Sequence, residues 1–141
     1  YESLETKIFD VDKGEIMNYL VEIKTSLDND TALSQWEKMT FVGRIPQKYI
    51  DKTDMTTILI TGLSNGFTGF GGNHSRAREQ EIELKVWYKP NTSFEDFEWA
   101  LNEAMESIGF YGFSYDGPEV DEETTQNKSV LQYRRTKFKG E

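Results

Sequence analysis

The sequence contains no cysteine, which excludes disulfides, thiolate nucleophiles and cysteine-ligated metals. Its one histidine, His74, has no neighbouring nucleophile and orienting carboxylate in a recognisable triad motif. A lone histidine in a polar, glycine-rich stretch reads as a solvated side chain. Positive charge is scarce as well: 16 basic residues stand against 25 acidic ones, for a formal net charge of −9. Holding a nucleic-acid backbone needs clustered Lys and Arg, so a surface dedicated to gripping DNA or RNA is not expected. No run approaches about 18 consecutive apolar residues, and no secretory leader pattern is seen. The chain, which starts at Tyr1, reads as that of a soluble intracellular protein.

What is present suits one folded domain spanning residues 1–141. The length is that of a single domain, and no strong break in composition divides it. Nine Phe, seven Tyr and three Trp argue against disorder despite the low mean hydropathy. From Asp12 the pattern is helical, with Ile16, Leu20, Ile23 and Leu27 on one face and an Asp12–Glu15 pair resembling a capping box. "DND" at 28–30 ends that helix. Residues 31–53 carry no clear period, although Trp36, Met39, Phe41 and Val42 are expected to pack, and Pro46 breaks any long element.

"TILITGL", 57–63, reads as a strand, and "EQEIELKVWYK" alternates with Ile82, Leu84, Val86 and Tyr88 on one face. Glu81, Glu83, Lys85 and Trp87 fall on the other. A second helix is the clearest element: Ser93 as N-cap, Glu95 and Asp96 in the first turn, Gly109 as C′ residue. Its apolar stripe is Phe94, Phe97, Leu101, Met105 and Ile108. "FYGFSY" and "SVLQYRRTKF" give two more strands, with the polar turn "DGPEVDEETTQN" between them. The order predicts an α+β fold, an antiparallel sheet with two main helices on one face.

Between the first two predicted strands lies "GFTGFGGNHSRAR", 66–78, where glycines are followed by basic residues. A phosphate cradle is the obvious functional candidate, with Arg76 and Arg78 as its charges. A P-loop, however, needs G-x-x-x-x-G-K-[ST], and a dinucleotide fingerprint needs G-x-G-x-x-G leading into a helix. This stretch has neither, and a strand follows it, so the anion affinity of a helix N-terminus is missing. The structural alternative is a flexible loop at about 64–78 joining two strands, with glycines supplying positive φ. Such a loop is long for a hairpin connection, and long loops in compact domains are usually functional or disordered. Phe67 and Phe70 within it also need something to cover them.

Other chemistry is weakly signalled. In "DGPEVDEETTQN" the third and fifth positions are Pro118 and Val120, which rules out a calcium-loop pattern. A pair of carboxylates placed for glycoside hydrolysis would be a tertiary feature that 25 acidic residues cannot single out. No cofactor, metal or catalytic residue is expected. More informative are two tryptophans on the wrong faces: Trp99 points away from its helix's apolar stripe, and Trp87 shares a strand face with charged residues. Either lies under a second layer of the fold, or it anchors a contact with another molecule, where aromatic side chains are enriched.

Several stretches together resemble a known family. "FVGRIPQKYIDKTDMTTILITGL", "GFGGN", "EQEIELKVWYKPNTSFEDFEWALNEAMESIGF" and "DEETTQN" are similar to tail-component proteins of long-tailed phages of Gram-positive bacteria. The matching pattern runs from about Phe41 to Phe138. It includes the glycine–asparagine loop ending near Asn73, the Trp87–Tyr88 strand and the Asp121, Thr124, Gln126 turn. The resemblance implies a structural virion protein of tail-terminator-like fold, closing as a hexameric ring on the head-proximal end of the tail tube. Its implied partners are further copies of itself, the major tail tube protein and a neck or head-completion protein. DNA would pass through the lumen without specific binding, and no membrane would be involved. A stopper or head-completion protein is the alternative within that class, and a ligand-binding or enzymatic module using residues 66–78 is the alternative outside it. In a ring each subunit presents two different faces. Phe67, Phe70, Asn73, Arg76, Arg78, Trp87 and Trp99 are the candidate contact residues.

Overall fold

The computed structural model describes residues 18–71 and 74–140. Helix α1, Asn18–Asn29, buries Leu20, Ile23 and Leu27. Ile16 and the Asp12–Glu15 pair lie outside the described residues. The chain leaves α1 at Asp30, whose side chain accepts a hydrogen bond from the Leu33 N–H at 2.9 Å. That contact opens a short 3-10 turn, Leu33–Gln35, and seats Leu33 in the core.

Strand β1, Lys38–Val42, follows in the stretch that carries no sequence period. It pairs in parallel with β2, Thr56–Gly71, placing Thr40 and Val42 beside Ile58 and Ile60. Among the described residues this is the one parallel pair in a sheet whose other neighbours are antiparallel, as the expected α+β fold has them. Its physical basis is the return connection over residues 43–55, which Gly43 begins at a φ of 83° and the 3-10 turn Gln47–Tyr49 continues. Parallel neighbours need such a connection, because a tight turn can only reverse direction.

Strand β3, His74–Trp87, runs antiparallel to β2. Helix α2, Phe94–Ser107, begins after Ser93 as its N-cap and ends at Gly109, whose φ of 85° suits the C′ position. The Ser93 hydroxyl is hydrogen-bonded to the Asp96 carboxylate at 2.9 Å instead of capping a backbone N–H. Strands β4, Tyr111–Val120, and β5, Asn127–Phe138, complete a mixed sheet in the order β1-β2-β3-β5-β4. The polar turn expected from Asp116 onward is therefore shorter, since residues 116–120 belong to β4.

The class is α+β, with five strands and two α-helices among the described residues. Ile82, Leu84, Val86 and Tyr88 are buried, as their alternation predicts, and they join Ile58, Ile60 and Leu131 in one core with both helices. An aromatic chain ties α2 to that core. Trp36 meets Phe97 edge-on at 5.3 Å between centroids, and Tyr88 lies 4.7 Å from Phe94. Burying that stripe is what holds the helix, because isolated helices of this length are marginal in water.

Candidate functional site

The glycine stretch is not a loop. Residues 64–71 and 74–78 form the far half of the β2–β3 hairpin, and the register runs without a break in pairing partners from Ser64↔Glu81 to Gly71↔His74 except opposite Gly69. The expected flexible loop at about 64–78 is thus corrected to a two-stranded arm. One flank of the arm is supported, because β5 pairs with β3 as far as Ala77↔Phe138. The other flank is not. β1 stops at Val42↔Ile60, and beyond it no strand among the described residues pairs with the outer edge of β2. Glycine fits the irregular point: Gly69 has a φ of 65°, and a Cβ there would come within 3.3 Å of the Ala77 Cβ.

The arm holds most of the sequence candidates. Phe67 is 66% exposed, and the Arg78 guanidinium covers its ring at 4.5 Å from the centroid. Arg78 also donates to the Asn65 carbonyl at 2.7 Å. Arg76 is exposed and runs beside Gly71. Neither arginine is ion-paired with a carboxylate among the described residues. Phe70 enters the ladder opposite Ser75, while Asn73 lies outside the described residues. His74 is exposed at the start of β3, opposite Gly71. The arm runs directly from β2 into β3, so among the described residues no helix N-terminus stands behind its glycines.

The two tryptophans part company. Trp99 is 62% exposed on α2, pointing away from the buried Phe97, Leu101 and Met105 as the helical period predicts. Trp87 is half-buried and engaged within the subunit. Its indole N–H donates to Asp121 at 2.7 Å, and Lys128 lies over its ring at 5.2 Å. That hydrogen bond, first among the causes, holds the Asp121 carboxyl below the usual aspartate range, with burial opposing it and the Glu123 N–H assisting. The two candidates therefore sit apart, Trp87 near the β4–β5 turn and the arm at the opposite end of β3.

Two side-chain clusters were not picked out from the sequence. Glu98 on α2 accepts hydrogen bonds from the hydroxyls of Tyr88, Tyr115 (2.9 Å) and Ser129 (2.9 Å), which pins the helix to β4, β5 and the residue that follows β3. Burial, reinforced by the hydrogen bond to Glu98, pushes the Tyr88 phenol far above the usual tyrosine range. Beside this cluster an open cleft of about 370 Å³ runs between Asn102 and the Phe113–Tyr115 segment of β4. Tyr133 in its wall donates a hydrogen bond to the Asn102 side-chain oxygen at 2.9 Å. The second cluster centres on Arg135, which is buried, stacks on Phe110 at 4.4 Å and donates to Gln80, Glu22 and the Ile108 carbonyl. It joins both helices to β3 and β5. Among the described residues no group of three or more His, Cys, Asp or Glu is placed to hold a metal ion.

The fold also sorts the charge. From Met55 to Arg78 the chain has no carboxylate, and that segment is β2 with the arm's return strand. From Pro90 to Asn127 it has no Lys, Arg or His. There α2 contributes Glu95, Asp96, Glu98, Glu103 and Glu106, while β4 and the turn after it contribute Asp116, Glu119, Asp121, Glu122 and Glu123. Strand β4 is the sheet edge away from β2, and it exposes Tyr111 (60%), Phe113 (42%), Tyr115 (49%) and Val120 (63%). No helix among the described residues is long and apolar enough to cross a membrane. No family model and no curated protein matches the chain.

Proposed function

We propose that the protein is a structural subunit of a phage tail, a terminator that assembles as a ring on the head-proximal end of the tail tube and joins it to the neck. The observation that carries this reading is the β2–β3 arm, a long strand pair that leaves one edge unpaired among the described residues while exposing Phe67. Folded monomers normally shorten, cover or twist away such edges, because unpaired N–H and C=O groups recruit another chain. A subunit completed by its neighbours has a use for one. Trp99, large and exposed on α2, fits the same reading, since tryptophan is over-represented among the anchors of protein interfaces. The low positive charge suits a lumen that lets DNA pass without holding it.

The proposed partners are other copies of the chain, the tail tube protein and a neck protein; the proposed place is the virion. The test is assembly on purified tail tubes, followed by electron microscopy and light scattering. A ring bound at one tube end, with tube growth stopped, is the expected result. A chain that stays monomeric and ignores tube ends under all conditions would overturn the reading. Binding only to a tube already closed by another protein would identify a stopper instead. A thermal-shift screen with nucleotides and phosphates addresses the ligand-binding alternative, which requires saturable stabilisation lost in Arg76→Ala.

A further inference from the structure

We infer that neighbouring copies meet head to tail, the basic arm of one seated against the acidic β4 edge of the next. This rests on the ring reading and specifies the two faces that the ring would use. The occupant of the arm's free edge is a second copy of this chain, and charge argues for it. Each copy carries −9 overall, so two copies repel in most orientations. The stretch from Met55 to Arg78 has no carboxylate, and its Arg76 and Arg78 lack ion-pair partners among the described residues, so the arm offers an attractive surface. The complementary surface is the segment with ten carboxylates and no base, which comprises α2, β4 and the turn that follows.

Geometry then limits the assembly. The arm extends β2 and β3 at one end of the sheet, whereas β4 is the edge strand on the other side of β5. The Asp121–Gln126 turn lies at the Trp87 end of β3, opposite the arm tip. Surfaces on opposite sides of one subunit cannot meet reciprocally in a two-fold pair. They form heterologous contacts, which close into a ring or run on as a filament. Apolar groups accompany the charges on both surfaces: Leu63 at the base of the arm and Phe67 on it, Tyr111, Phe113 and Val120 on the β4 edge, all exposed. Charge would select the orientation and rate of encounter, and these side chains would supply the buried contact.

A charge-reversal cycle tests the pairing. One variant reverses the arm (Arg76→Glu with Arg78→Glu), a second reverses the edge (Asp116→Lys with Glu122→Lys), and a third combines all four changes. Association is read by analytical ultracentrifugation, alone and with tail tubes, after circular dichroism confirms the fold. Each single-surface variant should associate roughly tenfold or more weakly than the native chain. Mixing the two, or combining the changes in one chain, should restore association. Because Arg78 bonds the Asn65 carbonyl, Arg76→Glu alone serves as a second arm variant that disturbs no hydrogen bond among the described residues. Association of the native chain that is indifferent to both reversals, or a loss that neither rescue repairs, overturns the pairing and leaves the ring reading standing. A native chain that never associates overturns both.

Discussion

At the scale of single residues, the helical period of α2 makes a sharp distinction between neighbours. Phe97 has no exposed surface, while Trp99, two positions on, is 62% exposed. Phe97→Ala should cost about 3–5 kcal/mol through lost burial and a residual cavity. Trp99→Ala should stay within about 0.5 kcal/mol of the native stability, as surface substitutions do, and yet weaken assembly. Urea unfolding with tube-end binding checks both, and a Trp99→Ala chain that unfolds would make that side chain structural. A second residue-scale effect concerns alkaline pH. Burial raises the phenols of Tyr88 and Tyr133 above the ordinary value of 10.0. Between pH 10 and their folded values the unfolded chain binds fewer protons than the folded one, so stability falls as pH rises above about 10. Spectrophotometric titration should show these two ionising only as the fold is lost, and Tyr88→Phe should flatten the decline. Free titration of all seven tyrosines near 10 in a folded chain would refute it. Trp99 was legible because a helix has a fixed period. Glu98 and Arg135 were not, because their partners (Ser129 and Tyr115, or Glu22 and Gln80) come from elements remote in sequence.

At the scale of elements, strands that half-bury themselves announce their period and strands that do not stay silent. The near half of β3 and the residue after it alternate Ile82, Leu84, Val86 and Tyr88 inward, and both the strand and its buried face follow from that pattern. The far half of β2 has two largely exposed faces and several glycines, so it reads as loop although its backbone is paired. Glycine within a strand contributes no side-chain packing, which is why only the ladder with β3 defines it. β1 was missed for a related reason: five residues joined in parallel to a strand beyond a long connection carry no local signature. The arm predicts a distinctive amide-exchange pattern. Alternate amides over residues 64–71, those bonded to β3, should exchange slowly, and those on the free edge should exchange fast. If the edge is an interface, the fast set alone should slow on assembly. Uniformly fast exchange along the whole arm would mean that the hairpin is not formed.

At the scale of the whole molecule, composition understated how the charge is arranged. The net charge of −9 was plain from the sequence, and so in principle was the absence of any base from Pro90 to Asn127. Only the topology reveals that this segment and the carboxylate-free one lie on opposite sides of a five-stranded sheet, because strand order departs from chain order at β5 and β4. Such a distribution gives salt two opposing effects. Within one subunit, ten carboxylates on a single segment repel one another, and screening relieves that repulsion, so the melting temperature of the monomer should rise with moderate salt. Between subunits the arm and the β4 edge attract, and screening weakens that attraction, so the association constant should fall over the same range. Melting curves and sedimentation measured across one sodium chloride series separate the two. A contact made chiefly of apolar surface would respond the other way, strengthening as salt suppresses repulsion between like-charged copies. Association that strengthens with salt while the arm reversal leaves it unchanged would assign the ring contact to Trp99 and the exposed aromatics of β4, with the arginines reduced to guards on an open strand edge.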